Sequence, residues 1–199
     1  MKSFYKLISI IIIFISGLSY SQKIEQQTIK KPTEGKSLVY LIRSNGVGAA
    51  LNFRVYDSET FIGRIAAGTY VVYETEPGEH VFWAASENRD YVKANLDADQ
   101  VYVIDVEGKM GMVLAAVNLN PLDPNNKKDQ NKFYKVIKKH KELVYDANSL
   151  ELEDKSENVS KAMAKYKELA EKSNNKIRSL SADQVFQHAN KPQKNNSDS

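Results

Sequence analysis

The stretch 68–84, GTYVVYETEPGEHVFWA, constrains the fold more than any other part of the chain. Two runs rich in Val, Tyr, Phe and Trp flank Glu76-Pro77-Gly78-Glu79, and Gly68 opens the first. β-Branched and aromatic residues fit a pleated surface, and Pro-Gly fits a turn. The pattern predicts antiparallel strands over 69–75 and 79–85, joined as a hairpin. Each run is apolar on both faces: Tyr70 and Val72 oppose Val71 and Tyr73, while Val81 and Trp83 oppose His80 and Phe82. A two-layer sandwich buries only one face of each sheet. Another part of the chain is therefore expected to cover the outer faces.

The same signature recurs at short spacing through 37–119. Further runs at 38–43, 50–56, 61–65, 91–96, 100–106 and 110–119 are separated by turn signals such as Asp57-Ser58-Glu59-Thr60 and Asp97-Ala98-Asp99. Leu51, Phe53 and Val55 alternate with Asn52, Arg54 and Tyr56, and Val92, Ala94 and Leu96 alternate with polar residues, which sets both threes inward. The run 110–119 is nearly apolar throughout. The expectation is an antiparallel, immunoglobulin-like β-sandwich of about eight strands.

After the breaker at 120–126, NPLDPNN, the period becomes helical. Over 127–145, Phe133, Ile137, His140 and Val144 share one face, ringed by Lys132, Lys135, Lys138, Lys139 and Lys141. A second helix, starting near Ser149 or Asp154 and reaching Ser173, carries Val159, Ala162, Met163, Tyr166, Leu169 and Ala170. Within 176–199, Ser181-Ala182-Asp183-Gln184 reads as a capping box for a short helix ending near Ala189, before the disordered tail NKPQKNNSDS. The extension 127–175 is expected to pack on one sheet of the sandwich.

The first residues, MKSFYKLISIIIIFISGLSYSQ, have the three parts of an export signal. Lys2 and Lys6 precede an apolar core over 7–18, and Ser19 and Ser21 stand at −3 and −1 of a cut between Ser21 and Gln22. The competing reading is an uncleaved anchor. A spanning helix needs about 20 apolar residues, and Gly17, Ser19 and Ser21 interrupt sooner. Residues 22–36 are polar and read as a linker. The chain has no cysteine, which excludes a disulfide framework and the lipid-acceptor thiol of a lipoprotein. Loss of Lys2 and Lys6 leaves 26 basic against 25 acidic residues, a net charge of +1 rather than +3. Near-neutrality argues against nucleic acid as a partner. An exported protein of periplasm or medium is expected, with no transmembrane segment after cleavage.

Residues that carry chemistry are sparse. His80, His140 and His188 lie far apart with no metal-ligand spacing, and Asp97, Asp99, Asp105 and Glu107 lack the pattern of a calcium loop. Gly46-Val47-Gly48 leads into a strand, so it lacks the helix N-terminus that a phosphate loop needs. No nucleophile elbow occurs. A hydrolase would need a serine and an acid of the polar loop 86–90, SENRD, to converge with His80. The bland readings are preferred throughout, so no catalytic, cofactor or metal site is assigned. Tyr73, His80, Trp83 and Arg89 stand as candidates for a ligand surface, with carbohydrate stacking on aromatics weighed against core packing. The basic helix over 127–145 is a surface for acidic headgroups or sugars, or else a solvated face.

Several segments resemble, in order, the bacterial domain-of-unknown-function 2846 family over about residues 37–118. They are Val39-Tyr40-Leu41-Ile42-Arg43, Gly63-Arg64-Ile65-Ala66-Ala67-Gly68-Thr69-Tyr70, Pro77-Gly78-Glu79-His80 and Val101-Tyr102-Val103. The last departs from the family pattern by lacking its Gly-Lys and first Tyr. The Pro-Gly-x-His element is also similar to PEGA-type cell-surface sandwiches. The resemblance implies an exported β-sandwich, often carried on a lipoprotein, with no established activity. The expected function is a non-enzymatic accessory or binding protein of the bacterial cell envelope whose partner is an envelope protein, glycan or lipid. The alternative is a carrier of an apolar or lipid ligand between a sheet and the basic helices.

Overall fold

Strands that are apolar on both faces need contacts above and below, and the chain supplies them in four layers. The computed structural model describes residues 29–145, 156–172 and 176–186. The signal with its cut at Ser21 and Gln22, residues 22–28 of the linker, the start of the second helix and the tail lie outside the described residues. The strands are β1 (Ser37–Ile42), β2 (Phe53–Asp57), β3 (Thr60–Ile65), β4 (Thr69–Thr75), β5 (Gly78–Ala85), β6 (Arg89–Leu96), β7 (Val101–Met110), β8 (Ala115–Pro121), β9 (Lys141–Leu143) and β10 (Arg178–Leu180). The helices are α1 (Lys127–Lys139) and α2 (Ser156–Glu171). A first sheet runs in the order β8-β7-β1-β4-β9 and a second in the order β10-β6-β5-β2-β3.

The architecture is a mainly β sandwich with helices, but it is mixed rather than antiparallel. Among the described residues it has ten strands, not eight, and β1/β7, β4/β9 and β6/β10 pair in parallel. Strands β9 and β10 follow helices, and β1 and β7 are separated by an excursion through the other sheet. Such long connections bring a strand back in the same direction.

The expected hairpin is likewise not a hairpin. Strand β4 pairs with β1 and β9 in the first sheet, while β5 pairs with β6 and β2 in the second. Glu76-Pro77 is a corner between sheets, and Gly78 beyond it has φ +121°, which favours glycine. The inner residues Val71 and Tyr73 therefore meet Phe82 and Ala84 across the interior rather than along a shared ladder.

Between the sheets lies the main core, which includes Val39, Leu41, Phe53, Val55, Val92, Ala94, Leu96 and Ile104. Of the residues that alternation sets inward, Phe53, Val55, Val92, Ala94 and Leu96 are in this core, and Leu51 is partly buried against it. Outside the first sheet, α1 buries Phe133, Val136 and Ile137 on Leu38, Tyr40, Ile42 and Tyr70. Outside the second sheet, α2 brings Val159, Ala162, Met163, Tyr166 and Leu169 onto Tyr56, Trp83 and Tyr91. Each sheet thus takes one helix, where packing of both on one sheet was expected. Both sheets have an apolar outer face, so both need covering.

Three local readings change. Helix α1 ends at Lys139 because His140 turns extended (ψ 158°) with its N–H on the Val136 carbonyl; Val144 is exposed rather than part of the stripe. The run 110–119 is not one strand: β8 begins at Ala115, and Met110, Met112, Val113 and Leu114 are 89%, 97%, 86% and 60% exposed at the β7–β8 turn. Ser181 does accept from and donate to its neighbours in a cap-like turn, with Ser181 N–H on Gln184 Oε1 (2.8 Å), but no helix follows within 181–186. Instead Phe186 donates its N–H to the Val101 carbonyl (2.8 Å) and packs edge-on against Phe133.

The last elements tie the layers together. Strand β9 extends the first sheet, and two residues later Tyr145 reaches the far edge of the second. Its hydroxyl donates to the Arg64 carbonyl (2.5 Å) and accepts from the Arg64 N–H (3.1 Å). The ring lies over Gly63, where a Cβ would stand 2.4 Å from Tyr145 Cε2.

Candidate functional site

A groove of about 710 Å³ opens where the β5–β6 turn meets α2. Its floor is aromatic and its rim is cationic. Tyr56 and Trp83 stack with ring centroids 4.0 Å apart and planes 3° apart, and Tyr91 tilts against Trp83 at 6.5 Å. The polar tips of these rings are already engaged. Trp83 Nε1–H donates to the Ser58 carbonyl (2.7 Å), and the Tyr91 hydroxyl donates to the Ala162 carbonyl (2.9 Å). All three rings are almost fully buried, so they shape the groove rather than offer a face for a sugar to stack on.

Arg54, Arg89, Lys161, Lys165 and Lys176 line the groove with Glu87 as the acid among them. Lys161 and Lys165 lie four residues apart and so share one face of α2. Glu168 bridges Lys165 (2.8 Å) and Lys172 (2.6 Å), which hold its carboxyl down at about 2. Five cationic side chains against one acid thus line a partly enclosed space, and Lys165 is shared with Glu168. Of the four residues singled out in the sequence, Trp83 and Arg89 meet here. The other two do not.

Tyr73 and His80 converge elsewhere, on Asp57 inside the sandwich. His80 Nδ1 lies 2.7 Å from Asp57 Oδ2, Nε2 lies 2.9 Å from the Glu76 carbonyl, and the Tyr73 hydroxyl donates to Asp57 Oδ2 at 3.3 Å. Both partners of the imidazole are acceptors, so both bonds form together only in the imidazolium. The hydrogen bond to Asp57 raises the His80 pKa, against burial, which lowers it. Burial and the Asp57 charge push the Tyr73 hydroxyl up to about 12. This cluster fixes the corner at Pro77 and leaves no base beside a nucleophile.

The polar loop 86–90 has a structural task. Its side chains pair with the β8 edge and the turn before it in place of a neighbouring strand. Ser86 Oγ donates to the Ala115 carbonyl (2.5 Å); Asn88 donates to the Val117 carbonyl (2.9 Å) and accepts the Val117 N–H (2.7 Å). Asp90 accepts the Leu119 N–H (2.7 Å), and Glu87 accepts N–H groups of Met112, Val113 and Leu114 at 2.9–3.3 Å. Those bonds hold the Glu87 carboxyl below its usual range, that of Leu114 most of all. An open strand edge invites pairing with another chain, and this loop closes it. Ser86, Asn88 and Asp90 sit two residues apart; that spacing was the available signal. Ser86 and His80 are not brought together.

Two further polar centres are buried. Arg43 is fully buried with its guanidinium carbon 4.0 Å over the Phe53 ring, and it donates to the carbonyls of Leu51 (2.6 Å), Ile65 (3.1 Å), Val47 (3.0 Å) and Gly48 (2.8 Å). Lys132 on α1 reaches Asp105 and Glu107 of β7, each at 2.9 Å, and Ser44 Oγ donates to Asp105 at 2.6 Å. Burial raises the Asp105 pKa against the hydrogen bonds of Ser44 and Lys132. Glu107 is raised by burial but lowered further by Lys132 and its other partners, and it ends below its usual range. Asp105 and Glu107 thus anchor a helix through a lysine. Among the described residues no group of three or more His, Cys, Asp or Glu side chains could hold a metal ion.

Beneath α1 the space is occupied by side chains: Tyr40, Tyr70, Phe133 and Phe186 interlock there. No helix of the described residues is long and apolar enough to cross a membrane. Comparison with protein-family models, with curated proteins and with solved structures finds no match.

Sequence reading missed Arg54, Lys161, Lys165 and Lys176. Their joint appearance depends on which sheet α2 covers, and no local pattern encodes that choice. The i, i+4 pair of lysines on α2 was the one local hint.

Proposed function

We propose that this chain is an exported, non-enzymatic binding protein of the bacterial cell envelope, and that the groove beside α2 takes an anionic group carried by an envelope polymer. The single observation that carries the ligand class is the rim of Arg54, Arg89, Lys161, Lys165 and Lys176 around a closed aromatic floor. The signal-like residues 1–21 and the motif series over 37–118, similar to the domain-of-unknown-function 2846 family, support the envelope setting. Ser86 and His80 are both committed to structural hydrogen bonds, in favour of binding over hydrolysis. The packed layer beneath α1 disfavours a lipid carried there.

Calorimetric titration with a uronic-acid oligosaccharide tests the reading. Binding is expected, weakening as salt rises because exposed charges are screened. The pair Arg89→Glu and Lys165→Glu should weaken it by about tenfold or more, since two reversed charges each cost on the order of 1 kcal/mol. Absence of binding by the native chain, or equal binding by the variant, contradicts it.

A further inference from the structure

The β7–β8 turn carries an apolar tip that the fold displays rather than buries. Met110, Met112, Val113 and Leu114 all project into solvent, and Gly111 between them tucks against the Glu87 carboxylate, where a Cβ would stand 2.2 Å from Oε2. Isolated exposed apolar residues are ordinary, but four within five positions are not.

The N–H donors of this tip are already satisfied. The N–H groups of Met112, Val113 and Leu114 end on Glu87, and the Gly111 N–H ends on the Leu114 carbonyl (3.2 Å). Water would solvate those donors without help. A lipid boundary would not, and there an unsatisfied N–H is costly. A tip of bare side chains with its donors tied internally therefore suits the edge of a bilayer. Its surroundings agree in charge: Lys109 stands at its base, hydrogen-bonded to Asn118 (2.8 Å), and Arg89 follows two residues after Glu87 at the groove rim. Cations flanking an apolar tip match anionic headgroups above an acyl layer.

We infer that the 110–114 turn is a membrane-contacting element that inserts Met112, Val113 and Leu114 at the headgroup–acyl boundary of an anionic bilayer, with Glu87 holding its shape. The inserting side chains 112–114 lie outside the groove lining, although Glu87 and Arg89 border both, so variants at 112–114 test the tip by itself. A narrow tip also fits this occupant better than a second copy of the chain, which would need a broad complementary surface to bury about 800 Å² per partner.

Vesicles of phosphatidylethanolamine and phosphatidylglycerol, compared with phosphatidylcholine alone, test it. The chain used begins at Gln22, the expected processed form, and retains every described residue. Co-sedimentation with the anionic vesicles is expected. The combined Met112→Ser, Val113→Asn and Leu114→Ser variant should lower partitioning by about tenfold or more, because each interfacially buried apolar side chain contributes a factor of several. Its circular dichroism should match the native chain, since Met112 and Val113 are almost fully exposed and Leu114 is 60% exposed. A Met112→Trp variant adds a position-specific readout: its emission should shift to the blue and be quenched by lipids labelled high in the acyl chain. Equal partitioning of the triple variant, an unquenched Trp at 112, or a native dimer that the triple variant abolishes would each overturn the assignment.

Discussion

At the scale of single residues, the buried polar groups are organisers. Arg43 gathers four carbonyls from the 47–51 loop and the end of β3. Replacing it by Met keeps much of the volume but orphans those acceptors, and an unpaired buried carbonyl costs about 1–3 kcal/mol. Urea denaturation of Arg43→Met should show a loss of about 2–4 kcal/mol; a loss under about 0.5 kcal/mol would mean water replaces the guanidinium freely. His80 gives a prediction with a sign. Its folded-state pKa is raised by Asp57, so its stabilising contribution is fully present below the unfolded value and is lost as pH rises through the folded one. The stability gap between the native chain and His80→Gln should therefore shrink from pH 6 toward pH 9, about the ordinary range above a histidine pKa. A gap that widens with pH would show that His80 acts as a neutral ring.

Elements are held by a small number of cross-layer anchors. Helix α1 docks through Phe133, Val136 and Ile137, and its register is fixed by Lys132 on Asp105 and Glu107. Removing one partner of a buried pair leaves a bare charge, typically at a cost of about 3–5 kcal/mol, whereas removing both charges can be nearly neutral. Thermal and urea unfolding should show Lys132→Met well below the native chain, and Lys132→Met with Asp105→Asn partly restored. If the double variant is no more stable than the single one, Lys132 matters by packing alone. Tyr145 has the corresponding role on the second sheet, where Tyr145→Phe should raise amide exchange at Arg64 without unfolding the chain.

Over the whole molecule, much was legible where periodicity carries information and little where partner choice does. The strand over 91–96 was readable because alternation marks burial face by face, and that over 69–75 because β-branched and aromatic residues fill it. The apolar outer faces of 69–75 and 79–85 correctly demanded cover. The pairing of β4 with β1 rather than β5, and the split of α1 and α2 between sheets, were not readable; both depend on long-range contacts that no local run specifies. For the same reason Tyr73, His80, Trp83 and Arg89, which looked like one surface, separate into an inner cluster and a groove rim. The run 110–114 misled because it is as apolar as a core strand yet lies outside. The four-layer arrangement makes its own prediction: a chain ending at Asn120 lacks both helices and bares Tyr40, Tyr70, Trp83 and Tyr91. It should bind a hydrophobic dye and aggregate, whereas a soluble, cooperatively folding fragment would show that the helices are dispensable.

The central claim is that the space between the β5–β6 turn and α2 is where this protein meets an anionic ligand. Mapping backbone amide shifts during titration with the uronic-acid oligosaccharide tests it most directly. Shifts concentrated at residues 86–91, 158–169 and 176 are predicted, strongest near Arg89 and Lys165. Shifts centred on α1, or none at all, would contradict it.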